Sequence, residues 1–270
     1  MVALTIAGSD SGGGAGIQAD LATFAALGVH GASAVTAVTA QTGQGISAIH
    51  EVPAGVVSEQ VRKVCGDLEV GAVKTGMLAS AATVRAVAAA LAGCGVRSLV
   101  VDPVLVASSG ARLLALDAEA ALVEELLPLA FVVTPNLAEA GALVGAEVRD
   151  VAQMREAAAA LHRMGPQWVL VTGGHLAGRP VDLLSGQGEM TELDAERVPG
   201  PDVHGTGCVL SAAITAHLAL GASVPQAVGR AKAFVTGAIR HAKRLGGGEV
   251  LANPGWSRPA ELRGTSGYLR

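Results

Sequence analysis

Short runs of β-branched residues alternate along most of this chain with longer alanine-rich runs, and this alternation limits the fold more than any other feature. Strands that alternate with helices are typical of a parallel sheet whose crossover connections are helical. Residues 99–101 and 131–133 are apolar at every position, as expected of strands covered by helices on both faces. The sequence therefore predicts an α/β fold in which a mostly parallel central sheet lies between two helical layers.

The pattern can be divided into individual elements. The predicted strands cover residues 3–7, 33–40, 47–52, 72–75, 98–102, 131–134, 168–172, 181–184 and 190–193. The predicted helices cover residues 17–27, 54–65, 81–92, 118–127, 137–144, 151–164, 207–220 and 224–245. In an open parallel sheet, ligands bind beyond the carboxyl ends of the strands. Functional residues are therefore expected immediately after the strands.

The composition favours one folded domain. Of the 270 residues, 50% are apolar and 16% are charged, and the mean hydropathy is +0.47. These values are typical of a chain with a large core and not of a disordered one. We expect a single domain over residues 1–257 and a C-terminal tail, residues 258–270, that can be disordered.

Charge and residue usage argue against several partners. A net charge of -4 and an aromatic content of 2% argue against binding to nucleic acid. Cys65, Cys94 and Cys208 show no CxxC spacing, so we expect a reducing, cytoplasmic setting. Two uncharged stretches, 21–50 and 203–229, are interrupted by glycine and polar residues. We expect them to be buried core and not membrane segments, and the first residues contain no basic leader typical of export.

The strongest local motif is HGTGC at positions 204–208, directly before an alanine-rich helical run. Two glycines allow a tight turn, and the free amides at a helix start attract an anion such as phosphate. The same field is expected to lower the pKa of the Cys208 thiol, which could then accept a proton. The alternative is a small buried cysteine after a loop that the glycines merely close.

A second motif, GSDSGGGAG at positions 8–16, follows the first predicted strand. It matches neither GxxxxGK[ST] nor the dinucleotide fingerprint, so the two commonest nucleotide loops are excluded. Its glycines indicate a backbone that passes close to another group, and Asp10 or Asp20 could hold a polar ligand. The alternative is a surface turn without a ligand.

Three charged residues follow buried strands. Lys74 ends one apolar strand, and both a solvated side chain and a ligand role are compatible with that position. Asp102 and Glu139 follow neighbouring strands and could hold Mg²⁺, which needs only one or two carboxylates besides phosphate oxygens. Helix capping and surface charge are the alternatives for these carboxylates. The sequence contains no zinc-type His/Cys spacing and no GxSxG motif.

Seven blocks in order make the chain resemble the hydroxymethylpyrimidine/phosphomethylpyrimidine kinases of thiamine biosynthesis, within the ribokinase-like superfamily. The resemblance extends from about residue 4 to residue 242. Its Gly-Thr-Gly-Cys turn is diagnostic, since sugar kinases of the superfamily usually have aspartate where Cys208 stands. The blocks are AGSDSGGGAGIQAD (7–20), TAQT (39–42), KTGML (74–78), VDPV (101–104), TPNLAE (134–139), GGH (173–175) and HGTGC (204–208).

The resemblance implies a ribokinase-like three-layer αβα sandwich and a kinase site. It implies that Cys208 faces the hydroxymethyl group of the substrate, with Gly205, Thr206 and Gly207 around the transferred phosphoryl group. Similarity places ATP near Asn136 and Lys232 and assigns Mg²⁺ to Asp102 and Glu139. The pyrimidine is then held by Gly8, Asp20, Gln41, Met77 and Val104. The resemblance also implies that this chain forms a homodimer.

The residue chemistry agrees with this assignment at three positions. Gln41 offers a donor and an acceptor to an aminopyrimidine, Asp20 can accept from its amine, and Met77 gives a polarizable contact to the ring. Two positions depart from the family, which commonly has lysine where Thr172 and Ser108 stand. Lys232, Lys74 or an arginine would have to compensate for the missing charge.

Two other functions remain open at this point. Some relatives with the Gly-Thr-Gly-Cys turn phosphorylate pyridoxal or pyridoxine, so a vitamin kinase of that type is the close alternative. A module that binds the pyrimidine without catalysis is the more distant one, and Thr172 is its motivation.

Overall fold

The computed structural model describes residues 1–42, 45–105, 113, 115–176, 178–194, 197–246 and 249–257. Nine strands of these ranges form one sheet in the order β3-β2-β1-β4-β5-β6-β7-β8-β9. They are β1 (Val2–Asp10), β2 (His30–Thr42), β3 (Gly45–Glu51), β4 (Val70–Thr75), β5 (Leu99–Val101), β6 (Val132–Val133), β7 (Trp168–Val171), β8 (Val181–Gly186) and β9 (Glu189–Asp194). Two short strands, β10 (Lys243–Leu245) and β11 (Glu249–Leu251), form an antiparallel hairpin.

The helices among the described residues connect these strands. They are α1 (Gly16–Ala26), α2 (Ala54–Asp67), α3 (Ala81–Ala92), α4 (Leu116–Ala121), α5 (Leu137–Val144), α6 (Val151–His162), α7 (Thr206–Ala219) and α8 (Val224–Arg240). Helix α4 continues into a π-turn, Leu122–Leu126, and a 3₁₀ turn, Leu127–Leu129. Another 3₁₀ turn, Pro254–Ser257, packs on α8.

The six central strands are parallel, and the outer ones are antiparallel. Strand β1 pairs in parallel with both β2 and β4, and the parallel pairing continues through β5, β6 and β7. Strands β3, β8 and β9 add in antiparallel orientation at the two edges. The short central strands β5 and β6 are completely buried, whereas β9 is mostly exposed. The predicted mostly parallel sheet is confirmed.

Alternate residues of the central strands enter two separate hydrophobic cores, one on each face of the sheet. Ile6 and Val101 pack with α2 to α6, while Ala72 and Val100 pack with α1, α7 and α8. Helix α7 is buried on almost every side because it lies between the sheet and the helices α1 and α8. The three-layer αβα arrangement predicted from the sequence is therefore confirmed. The period of two also places Lys74 and Asp102 on the α1 and α7 face, since they follow Ala72 and Val100 by two residues.

The predicted last helix is too long. Helix α8 ends at Arg240, and Lys243–Leu245 is a strand and not helix. The reason is a tertiary contact: strand β11 pairs with His204, whose N–H donates to the Val250 carbonyl at 2.8 Å. Pairing with β11 therefore overrides the helical pattern of the sequence. The predicted tail, residues 258–270, lies outside the described residues. No helix in the described ranges has the length and apolarity that a membrane crossing requires.

Candidate active site

The candidate site lies at the carboxyl edge of the sheet, where β1, β4, β5 and β6 end beside the N-terminus of α7. Helix α7 packs on β1, β4 and β5 and on helix α1. The polar residues that the sequence places after these strands therefore converge on one region. This edge of a parallel sheet is where open α/β folds bind ligands.

Asp10 organises the glycine-rich turn that follows β1. Its buried carboxylate accepts hydrogen bonds from the backbone N–H groups of Gly12 (2.8 Å), Gly14 (3.0 Å) and Ala15 (2.8 Å). Burial alone would raise the pKa of Asp10, but contact with His204 and the amide bonds outweigh it and lower that pKa. The turn is thus held by its own carboxylate, and Asp10 serves the loop instead of facing a ligand.

The glycine-rich turn touches the start of α7 at Gly205. This residue is the N-cap in a left-handed conformation (φ 84°), and a Cβ added to it would come within 1.9 Å of the Gly14 carbonyl oxygen. Only glycine fits there. Among the described residues no side chain caps this N-terminus, and the first N–H groups of a helix have no intrahelical acceptor. The amides of Thr206, Gly207 and Cys208 are therefore suited to bind an anion.

A buried ion pair lies beneath this helix start. The Lys74 ammonium donates to both carboxylate oxygens of Asp20, at 2.7 and 2.9 Å, and lies 3.8 Å from Asp102 Oδ2. The Thr5 hydroxyl also donates to Asp20 (2.6 Å), and both members of the pair have no exposed surface. Burial opposes the charge on Lys74, but Asp20 outweighs that effect and raises the pKa of Lys74. Lys74 is therefore not solvated, and its ammonium is held by Asp20.

Cys208 lies in the first turn of α7, next to this charged cluster. Burial raises the pKa of its thiol to about 12, and it outweighs the lowering effects of Lys74 and of a hydrogen bond from the Gly16 N–H. The sequence-based expectation of a lowered Cys208 pKa is therefore wrong, because burial dominates the helix field. Cys208 is a neutral thiol at neutral pH.

Two carboxylates approach the site from β5 and α5. The Ser211 hydroxyl donates to Asp102 Oδ2 at 2.8 Å. Asn136 and Glu139 form a capping box at the start of α5, each side chain accepting the other's backbone N–H at 2.9 Å. Glu139 thus does act as a capping residue. Burial, and then the charge of Asp102, raise the pKa of Glu139 to about 8.

Burial is the main cause of the raised pKa of Glu139, and the Lys74 ammonium offsets the effect of burial only in part at Asp102. Burial also raises the pKa of Asp102. A divalent cation would relieve both shifts, and Mg²⁺ needs few protein ligands when phosphate supplies the others. Among the described residues, no group of three or more His, Cys, Asp or Glu side chains is placed to hold a metal ion.

Three of the predicted pyrimidine contacts, Gly8, Gln41 and Met77, lie at or beside the glycine-rich turn. Met77 packs against Gly8, since a Cβ on Gly8 would lie 3.1 Å from its sulfur. The Gln41 backbone N–H donates to the Ser11 hydroxyl at 2.8 Å, and Val104 follows Asp102 at the end of β5. Asp20 differs from the prediction: its carboxylate is fully buried and occupied by Lys74 and Thr5. It holds Lys74 in place and has no surface to offer a pyrimidine.

Lys232 on α8 reaches the same edge but is already paired. Its ammonium binds the Asp182 carboxylate, whose other oxygen accepts from the Gly173 N–H at 2.9 Å. The Thr172 N–H donates to the Pro135 carbonyl at 2.9 Å, and Ser108 lies outside the described residues. The sequence does not predict which arginine could compensate for the missing lysines. Arg197, which follows β9 in the chain, reaches the turn after β7, where its guanidinium donates to the Gly174 carbonyl at 3.2 Å.

Taken together, the fold and this edge define a phosphotransferase of the ribokinase-like class: a three-layer sandwich with an uncapped helix start beside buried carboxylates. The match to the phosphomethylpyrimidine kinase family model covers residues 10–253. The chain belongs to that family.

Individual relatives agree with the family assignment. The chain is 51% identical over 254 residues to a hydroxymethylpyrimidine/phosphomethylpyrimidine kinase of Streptomyces coelicolor, covering 94% of each chain. It is 50% identical over 251 residues to the thiamine biosynthesis bifunctional protein ThiED of Geobacter sulfurreducens, covering 93% of this chain and 51% of that one. A solved structure of the Staphylococcus aureus pyridoxal kinase with AMP-PCP and pyridoxal matches with a TM-score of 0.87 and 33% identity. It covers 96% of this chain and 94% of the other.

Proposed function

We propose that this protein uses ATP and Mg²⁺ to phosphorylate 4-amino-5-hydroxymethyl-2-methylpyrimidine and then its monophosphate, giving the diphosphate used in thiamine biosynthesis. The uncapped start of α7 beside Cys208 is the observation that supports it most. Amides aimed at a transferring phosphoryl group stabilise the charge of the transition state. The 51% identity to a kinase of this name, against 33% to the pyridoxal kinase, favours the pyrimidine.

The roles of the nucleotide and metal residues follow from their positions. Asp102 and Glu139 are the residues that would hold Mg²⁺, which supplies charge neutralisation between the phosphates when it is bound. Asn136 and Lys232 lie at the edge where ATP is expected. For Lys232 to reach a phosphate, its ammonium has to leave or share Asp182.

The substrate residues divide into two groups. Gly8, Gln41, Met77 and Val104 would contact the pyrimidine, while Gly205 to Cys208 would surround the phosphoryl group. Asp20 contributes by fixing Lys74, whose buried positive charge lies close to Cys208 and Asp102. Positioning and charge neutralisation therefore provide most of the catalysis.

A neutral thiol suits the second transfer. The nucleophile of that step is a phosphate oxygen that is already deprotonated, and a carboxylate at position 208 would repel it. We therefore expect Cys208→Asp to slow the second phosphorylation more than the first. The measurement is the rate of each step by mass spectrometry, with pyrimidine alcohol or monophosphate as the starting substrate. Equal losses in both steps would contradict this role for the thiol.

Product analysis tests the function as a whole. The protein is incubated with ATP, Mg²⁺ and either the pyrimidine alcohol or pyridoxal, and the products are weighed. We expect the pyrimidine monophosphate and then the diphosphate. Phosphorylation of pyridoxal alone would support the alternative, a pyridoxal/pyridoxine kinase, which the similarity to the Staphylococcus aureus pyridoxal kinase structure favours. ATP consumption at background with both alcohols would support a binding module without catalysis.

We extend the proposal to the whole chain. Residues 1–257 act as one kinase domain, since α7 and α8 complete the helical layer over the sheet built from residues 2–194. The three free cysteines fit a reducing cytoplasm. The active form is expected to be a homodimer, and sedimentation equilibrium at working concentration would give twice the chain mass.

A further inference from the structure

His204 lies where three segments meet, although nothing in the proposed chemistry uses it. Its imidazole is 11% exposed and lies between two carboxylates: Nε2 is 3.9 Å from Asp10 Oδ2, and Nδ1 is 3.9 Å from Glu249 Oε1. Its backbone N–H donates to the Val250 carbonyl, and its carbonyl accepts from the Ala252 N–H at 3.1 Å. His204 therefore joins strand β11 to the residue that begins the turn into α7.

Asp10 carries this connection into the glycine-rich turn. The carboxylate that faces His204 also receives the amides of Gly12, Gly14 and Ala15. The Gly14 carbonyl in turn faces Gly205, at a separation that leaves no room for a Cβ. A Cβ on Gly14 would meet the His204 ring at 2.9 Å, so both ends of the contact are closely packed. A shift of the ring would be transmitted to the amides that start α7.

We propose that His204 and Asp10 form a positioning pair that sets the register between the glycine-rich turn and the N-terminus of α7. This inference rests on the proposed function and deepens it, because the turn borders the substrate side of the site and α7 the phosphoryl side. The pair acts through backbone amides and is distinct from the residues assigned to substrate, nucleotide and metal.

Charge strengthens the pair while the imidazole is protonated. Contact with Asp10 raises the pKa of His204 above its ordinary value, against the effect of burial, and Glu249 adds to the rise. Asp10 faces the ring from the end of β1, Glu249 faces it from β11, and the partial positive charge at the start of α7 opposes protonation. The attraction is therefore present while the imidazole is protonated and is lost as the pH rises through its raised pKa. We expect kcat to fall with that titration.

An NMR titration of the substrate-free enzyme tests the pair without relying on activity. The His204 ring is expected to titrate above about 6.5, and the amide signals of Gly14 and Gly205 are expected to move with the same midpoint. Asp10→Asn is expected to bring the ring pKa down towards the ordinary value, and Glu249→Gln to lower it by less. A ring that titrates at or below the ordinary value, or amides that ignore its titration, would overturn the proposal.

Kinetics then test the effect on catalysis. In His204→Asn we expect kcat to fall about 10- to 100-fold, the range for a small misplacement of reacting groups, with a smaller change in KM. The variant should also lose the alkaline fall in kcat that the wild type shows. His30→Asn, which changes an exposed histidine at the opposite end of the sheet, is the control and should match the wild type. An unchanged pH profile in His204→Asn would refute a positioning role. A wild-type protein that phosphorylates neither the pyrimidine alcohol nor pyridoxal would refute only the proposed function.

Discussion

Lys74 is the residue on which the electrostatics of the site depend most. Its ammonium has no exposed surface and is the cation for two carboxylates, Asp20 and Asp102. Removing one partner of a buried ion pair leaves an uncompensated charge, which typically costs about 3–5 kcal/mol. An uncharged side chain at position 74 therefore changes both the stability of the protein and the charge of the site.

We expect Lys74→Met to lower the free energy of unfolding by an amount of that order and to abolish detectable kinase activity. Adding Asp20→Leu should restore part of the stability, because the pair is then removed as a unit, but not the activity. Urea denaturation of the two single variants and the double variant gives the coupling. Lys63→Met, which changes an 80% exposed lysine, is the control. Strictly additive losses would show that Lys74 and Asp20 do not act as a pair.

The residue-scale predictions from sequence succeeded or failed according to whether they needed tertiary information. Helix capping by Glu139, one of the alternatives given by the sequence, is a local contact with Asn136 three residues earlier. Burial of Lys74 depends on Asp20, which is 54 residues earlier in the chain, and no local signal reports that contact. The predicted lowering of the Cys208 pKa was wrong for the same reason, because the burial of a thiol is a property of the packed structure.

At the scale of elements, the turn into α7 depends on a single glycine. Gly205 and Gly28 both have positive φ (84° and 74°), but a Cβ on Gly28 would meet nothing within 4 Å, whereas one on Gly205 would collide with the Gly14 carbonyl. The two positions therefore separate the cost of backbone strain from the cost of displacing α7.

Gly28→Ala should lower stability by about 1–3 kcal/mol, the usual cost of such strain, and leave kcat unchanged. Gly205→Ala should lower stability further and reduce kcat/KM by at least about 100-fold, because the helix amides move. Thermal unfolding and steady-state kinetics of both variants provide the comparison. Equal activity in the two alanine variants would mean that the contact of Gly205 with the glycine-rich turn has no part in catalysis.

The sequence pattern located most elements well but failed at α8. Helices α3 and α5 have the predicted bounds, because their apolar spacing is regular and their ends carry clear signals. Residues 243–245 continue a helical pattern, yet they pair with β11, which also pairs with His204. The position of β11 depends on His204, 47 residues before Leu251, and helical periodicity does not report a contact at that separation.

For the whole molecule, the buried acids of the site make stability depend on pH. Because the pKa of Glu139 in the folded protein is raised to about 8 from an ordinary 4.5, the folded state holds this proton more tightly than the unfolded state. The contribution of Glu139 to stability is therefore complete below pH 4.5 and is lost as the pH rises towards 8.

Glu139→Gln removes this ionisation while keeping a side chain that can cap α5. The variant and the wild type should have similar stability near pH 4.5, and the variant should be more stable at pH 8 by an amount of the order of 4 kcal/mol. Its kinase activity should fall, since a proposed ligand of Mg²⁺ is lost. Urea denaturation across this pH range is the measurement, with Glu156→Gln on the exposed face of α6 as the control. A variant less stable than the wild type at pH 8 would contradict the raised pKa.

A structure of the enzyme crystallised with Mg²⁺, AMP-PCP and the pyrimidine alcohol tests the central claim most directly. We predict that oxygens of the terminal phosphate accept hydrogen bonds from the amides of Thr206, Gly207 and Cys208, with the hydroxymethyl group on the side of Cys208. A terminal phosphate bound elsewhere, with these three amides facing only solvent or protein acceptors, would contradict the account.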